Sequence, residues 1–160
     1  MYYRIIEEPK EDVYRQLIDL AFKVSDRFQL VLRKDMMSNV KRAMKSYEPI
    51  LSMLEPSLIE RKEASEWAST ILLRSDAFVY EYRITDEARE VVESLSDSLY
   101  GWIQPDLPED LAFLKEGKAW LTTSSHEGWC VISPENTRSS KWLVEKLMTI
   151  TGLKLEKVED

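Results

Sequence analysis

The period of the apolar positions changes several times along the chain, and each change marks an element. "YYRII", Tyr2 to Ile6, is aromatic and β-branched and predicts a strand. From Pro9 to Ser25 the period lengthens. Val13, Leu17, Leu20 and Val24, joined by Tyr14, Ile18, Ala21 and Phe22, then share one broad face, and Pro9 followed by acids suits the first turn of a helix. "RFQLVLRK", Arg27 to Lys34, predicts a second strand. "SNVKRAMKSYEPILSML" is helical in period, with a bend or break expected before Pro49.

After Pro56 the pattern turns to strands. "SLIERKEA" is a weak one, whereas "TILLRSDAFVYEYRI" predicts a hairpin about Arg74, Ser75 and Asp76, with Phe78, Tyr80 and Tyr82 on one face. Thr85 is placed to cap a helix running to Leu99, with Asp86 and Glu87 in its first turn, Ala88, Val91, Val92 and Leu95 as its apolar positions, and Gly101 as its stop. The loop "WIQPDLPED" follows. "LAFLKEGKAWLTTSS" predicts a hairpin turning at Glu116-Gly117, and "GWCVI" a further strand. Ser133 and Pro134 read as the cap and first turn of a helix carrying Trp142, Leu143, Leu147 and Ile150, ended by Gly152, with "LKLEKV" as a closing strand. Runs of strands joined by short turns, with about four helices between the runs and no internal repeat, predict a single α+β domain over residues 1–160. Its sheet should be mainly antiparallel.

Composition supports one ordered domain. At 160 residues and 44% hydrophobic, the chain can bury roughly 70% of its unfolded surface in one core. The N-terminus lacks a basic then apolar signal, and no window approaches about 18 uninterrupted apolar residues, so a cytoplasmic protein without a membrane partner is expected. A single cysteine makes no internal disulfide and fits a reducing compartment. The net charge of −7 is concentrated between residues 49 and 113, which hold five basic and fourteen acidic side chains. Such a surface repels phosphate backbones and favours basic partners, besides aiding solubility.

"SSHEGWCVI", Ser124 to Ile132, contains the only histidine, His126, and the only cysteine, Cys130. In an extended segment residues four apart lie about 13 Å apart, too far for a local nucleophile–base pair. Cys130 therefore reads as a small buried hydrophobe. His126 reads either as a turn residue bonded to backbone or as a polar contact on a recognition face, beside Glu127 and the hydroxyls of Thr122 to Ser125. One histidine and one cysteine make a poor zinc set, and neither a metal nor a cofactor is expected.

Asp106, Glu109 and Asp110 lie in the proline-bordered loop, as a possible acid–base pair or as surface acids at a strand entrance. Glycine-rich phosphate motifs are absent. Lys34, Lys41, Arg42 and Lys45, preceded by Lys23, Arg27 and Arg33, form the one basic concentration. Lys41 and Lys45 share a helix face that could meet phosphate or an acidic protein, or could simply be solvated. Trp102, Trp120 and Trp129 surround the same region as interface anchors or as core.

Two blocks, "YYRIIEEPKEDVYRQLIDLAF" and "LYGWIQPDLPEDLAFLKEGKAWLTTSSHE", resemble a small family of proteins of about 150 residues from spore-forming Gram-positive bacteria, some of which carry a stage III sporulation label. The likeness covers about half the chain and is most specific from Leu107 to Glu127. It implies a cytoplasmic bacterial protein in which His126 and Glu127 belong to the family's own motif, and it brings no activity. These readings converge on a non-catalytic protein-interaction module, regulatory or immunity-like, whose partner is another protein rather than a nucleic acid. The binding residues would be Trp102, Asp106, Glu109, Asp110, Trp120, His126, Glu127 and Trp129. The alternative is a small hydrolase or transferase using His126 with Glu127 or with a carboxylate of the 106–110 loop.

Overall fold

The computed structural model describes residues 1–159. Strands β1 (Tyr2–Ile5), β2 (Arg27–Arg33), β3 (Leu58–Ala64), β6 (Ala77–Arg83), β7 (Glu109–Lys115), β8 (Lys118–Ser124), β9 (Trp129–Ile132) and β10 (Leu155–Val158) form one eight-stranded sheet in the order β10-β1-β9-β8-β7-β2-β6-β3. Its pairings are antiparallel throughout. Two short strands, β4 (Glu66–Trp67) and β5 (Thr70–Ile71), make a separate small hairpin. The fold is the expected α+β class.

Four helices, α1 (Asp12–Val24), α2 (Val40–Leu54), α3 (Asp86–Leu95) and α4 (Ser140–Met148), share one apolar core with the sheet. Leu17, Ile18 and Ala21 of α1 and Val92 of α3 meet alternate residues of the strands, among them Phe28, Leu30, Leu32, Tyr82, Phe113 and Ile132. Period two on the strands and period 3.6 on the helices thus bury one face of each. The other residues of β2 and β6, Val31, Ala77 and Val79, form a small second cluster beneath Trp67 of the β4–β5 hairpin. This flap covers part of the sheet face that the helices leave open.

Several boundaries differ from the sequence pattern, each for a local reason. α1 begins at Asp12, so Pro9 precedes the helix instead of opening it. α2 runs through Pro49 without a break; the ring is exposed, while Tyr47 and Leu54 on either side are buried and hold the helix to the core. The hairpin expected across residues 70–84 does not form: β5 pairs with β4, and β6 lies between β2 and β3. The apolar run was misleading there, because Ile71 and Leu73 face solvent.

Thr85 does cap α3, accepting from the Ala88 N–H at 3.0 Å, but the helix stops at Leu95. Ser96 turns extended, and its hydroxyl takes over the local bonding, donating to the Ser98 carbonyl and accepting from the Ser98 N–H. Gly101 is therefore no helix stop. It allows a close approach instead, since a Cβ there would collide with the Ser96 hydroxyl. α4 starts at Ser140 and not at Ser133, because Pro134 opens a separate 3-10 turn closed by the Thr137 N–H and hydroxyl on the Pro134 carbonyl. Glu116 and Gly117 turn the β7–β8 hairpin as expected, both at positive φ. No helix among the described residues is long and apolar enough to cross a membrane.

Candidate functional site

Strand β7 begins at Glu109, which places two carboxylates from the expected loop inside a central strand. Opposite β2 its register slips. Gln29 pairs with Ala112 but Val31 pairs with Glu109, so β7 carries one extra residue at this point. Asp110 takes the left-handed conformation, φ 57°, that such a bulge needs and that Asp tolerates better than most side chains. By breaking the alternation, the bulge lets both acids find partners inside the protein.

The Asp110 carboxylate is fully engaged and only 2% exposed. Its Oδ2 accepts from Trp67 Nε1 at 2.9 Å and from the Ser69 hydroxyl at 3.3 Å, while Oδ1 accepts from the Ser125 N–H at 3.0 Å. It therefore ties the β4–β5 flap and the turn after β8 to the middle of the sheet. Glu109 is 0% exposed. Its Oε1 accepts from the Gln104 N–H at 3.3 Å and lies 3.2 Å from His126 Nε2, and its Oε2 has no partner. Burial first, and then the neighbouring Asp110 charge, push the Glu109 carboxyl up to about 7, against the Gln104 N–H and Arg33.

The surroundings hold this pair still. The Gln104 side chain continues the ladder beyond β2, its Oε1 accepting from the Arg33 N–H at 2.7 Å and its amide donating to the Arg33 carbonyl at 3.2 Å. The Arg33 guanidinium grips Asp35 through two bonds and stands 5.8 Å from the Trp67 ring centre. On the other side, the Ser125 hydroxyl donates to the Trp102 carbonyl at 2.7 Å. The Trp102 indole donates to the Tyr14 hydroxyl at 2.8 Å, and that hydroxyl donates in turn to the Val92 carbonyl. A chain of bonds thus runs from the His126 turn through the core to α3.

Above this base the turn is exposed. The Gly128 N–H closes it on the Ser124 carbonyl at 2.8 Å, with Gly128 at φ 67°, and His126, Glu127 and Gly128 project to solvent. The Trp129 indole, half-buried, donates to Glu127 Oε2 at 3.1 Å. Of the tryptophans read either as interface anchors or as core, two belong to the core. Trp102 and Trp120 are both 0% exposed and offer a partner no area; the Trp120 indole donates to Ser25 and packs beside Phe113. Glu109 and Asp110 lie beneath the surface for the bulge reason given above. Asp106 is exposed on the preceding turn.

No ready nucleophile accompanies the imidazole. The Ser125 hydroxyl is occupied by Trp102, and Cys130 is 1% exposed with burial pushing its thiol up. Among the described residues no group of three or more His, Cys, Asp or Glu could hold a metal ion. The basic run separates in space: Lys34 pairs with Glu63 and Asp76, whereas Lys41, Arg42 and Lys45 stand exposed at the start of α2. Trp67, Ser69 and Gln104 complete the site without any sequence signal, since each acts through a contact 41 to 71 residues away, whereas Ser125 was visible as a hydroxyl beside His126 but its amide bond to Asp110 was not. No protein-family profile matches the chain, and neither the curated proteins nor the solved structures contain a match to it.

Proposed function

We propose that the protein is a non-catalytic cytoplasmic interaction module that recognises another protein through the turn from His126 to Gly128, with Trp129 at its side. One observation carries this reading: a half-exposed imidazole, 39% accessible, is held from behind at 3.2 Å by a wholly buried carboxylate. A polar group fixed in this way loses little freedom when a partner docks, so its contacts are retained as affinity. The chain's net charge of −7 favours a basic partner and quickens its approach.

A second reading has one specific support. Glu109 and His126 have the form of an oriented general base, and Glu109 Oε2 is left without a partner. A water-activating hydrolase would use that pair. The two readings separate by photo-crosslinking in a lysate of spore-forming bacteria, with the reactive side chain at position 127 or, as a control, at exposed Glu90 on α3. A discrete adduct from 127 and none from 90 supports the module. Adducts at both positions alike, or a hydrolytic turnover that disappears in His126→Ala, would end it.

A further inference from the structure

Where the end of α1 meets the end of β7 and the start of α4, the surface sinks into a cleft of about 590 Å³. That volume falls within the roughly 300–1,000 Å³ of small-molecule sites. Lys23, Lys115, Thr137, Arg138, Ser139 and Trp142 line it, and no carboxylate does. In a chain of net charge −7 this local excess of cations is unusual. Lys23 and Lys115 make no ion pair with any described residue, and Arg138, 78% exposed, is held only by Glu116 at 2.6 Å. Two ammonium groups without an ion-pair partner among the described residues, and a guanidinium paired with Glu116, therefore line one hollow.

The aromatic wall adds a second, independent feature. Trp142 is 42% exposed, one of few large apolar side chains outside the core, and the Lys146 ammonium stands 5.7 Å from its ring centre. An indole beside cations suits a planar ring attached to an anion. The rest of the wall is hydroxylic. Ser139 makes no capping bond, and the first turn of α4 contains no acid that would compete for an anion there. Asn136 secures this connection by donating to the Ala119 carbonyl at 2.8 Å, so the wall does not depend on the ligand for its shape.

We propose that this cleft binds a mononucleotide, its base stacked on Trp142 and its phosphate between Lys23 and Lys115, with Arg138 released from Glu116 to meet it. The inference is independent of the His126 reading. A free nucleotide fits better than a polynucleotide, because the acidic remainder of the surface repels an extended phosphate backbone.

Calorimetric titration of the full chain at about 50 mM salt tests this. Separate arms contain the four ribonucleoside 5′-monophosphates, the corresponding diphosphates, the free nucleosides, inorganic phosphate and a single-stranded oligonucleotide. At least one nucleotide saturates a single site; Lys23→Ala with Lys115→Ala and, separately, Trp142→Leu each weaken it by about tenfold or more. His126→Ala leaves the affinity unchanged. All the altered side chains are at the surface, and an unchanged melting temperature confirms that each variant folds. The proposal is overturned if no nucleotide saturates a site, or if these variants bind as the parent does. It is equally overturned if inorganic phosphate or a bare nucleoside binds as tightly as the nucleotide, or if the oligonucleotide alone binds.

Discussion

Glu109 is the residue on which the site's chemistry turns. Its carboxyl has an ordinary value of 4.5 and is pushed up to about 7, so between those limits the native protein holds a proton that the unfolded chain has released. Stability must then fall as pH rises through this window, and the full penalty of a buried carboxylate is present above it. The penalty is at most on the order of 3 kcal/mol. Glu109→Gln keeps an acceptor for the Gln104 N–H and removes the ionisation. Urea unfolding from about pH 5 to pH 8 should show a shallower decline for this variant than for the parent. Some decline remains, because Glu93 is raised in the same direction, chiefly by burial and by Asp19. Identical slopes for parent and variant would show that Glu109 is ionised alike in both states.

Among the elements, the β4–β5 flap depends most on a single side chain. Two of its groups, the Trp67 indole and the Ser69 hydroxyl, and the Ser125 N–H after β8 all donate to Asp110. Asp110→Ala leaves a buried indole N–H and a buried amide without acceptors, at about 1–3 kcal/mol each, and should lower stability by about 3 kcal/mol. Amide exchange should rise across residues 66–71 and 124–128 in that variant; protection unchanged in both segments would mean that the flap is held by the Val31, Ala77 and Val79 cluster instead. The same element shows where sequence reading stopped. "TILLR" is apolar, yet Ile71 and Leu73 point outward, and the flap's one buried anchor, Trp67, is secured by a carboxylate 43 residues on. Local period contains no trace of such a partner. By contrast α1, β2 and the β7–β8 hairpin were legible, because each is fixed by its own apolar alternation and its own turn residues. α3 was legible at its Thr85 cap and not at its end, where the Ser96 hydroxyl takes both the N–H and the carbonyl of Ser98.

At the scale of the whole molecule, an antiparallel sheet with helices on one face follows from elements that each bury one side. The order of the strands does not: β10 reaches an edge beside β1, and β7 lies beside β2 across more than seventy residues. The site inherits that difficulty. His126 and Glu127 were visible as polar residues of a turn, but what lies behind them, Glu109 on its bulge and Asp110 clasping the flap, exists only because β2, β7 and β8 are neighbours. This arrangement separates an exposed contact at His126 and Glu127 from a buried base that holds it, and a partner should sense the first without disturbing the second. Affinity capture from a lysate of the source organism, comparing the parent with His126→Ala, Glu127→Ala at matched melting temperature, tests that division most directly. The account predicts a partner retained by the parent and lost by the variant. Equal capture by a folded variant would place recognition elsewhere on the molecule and contradict it.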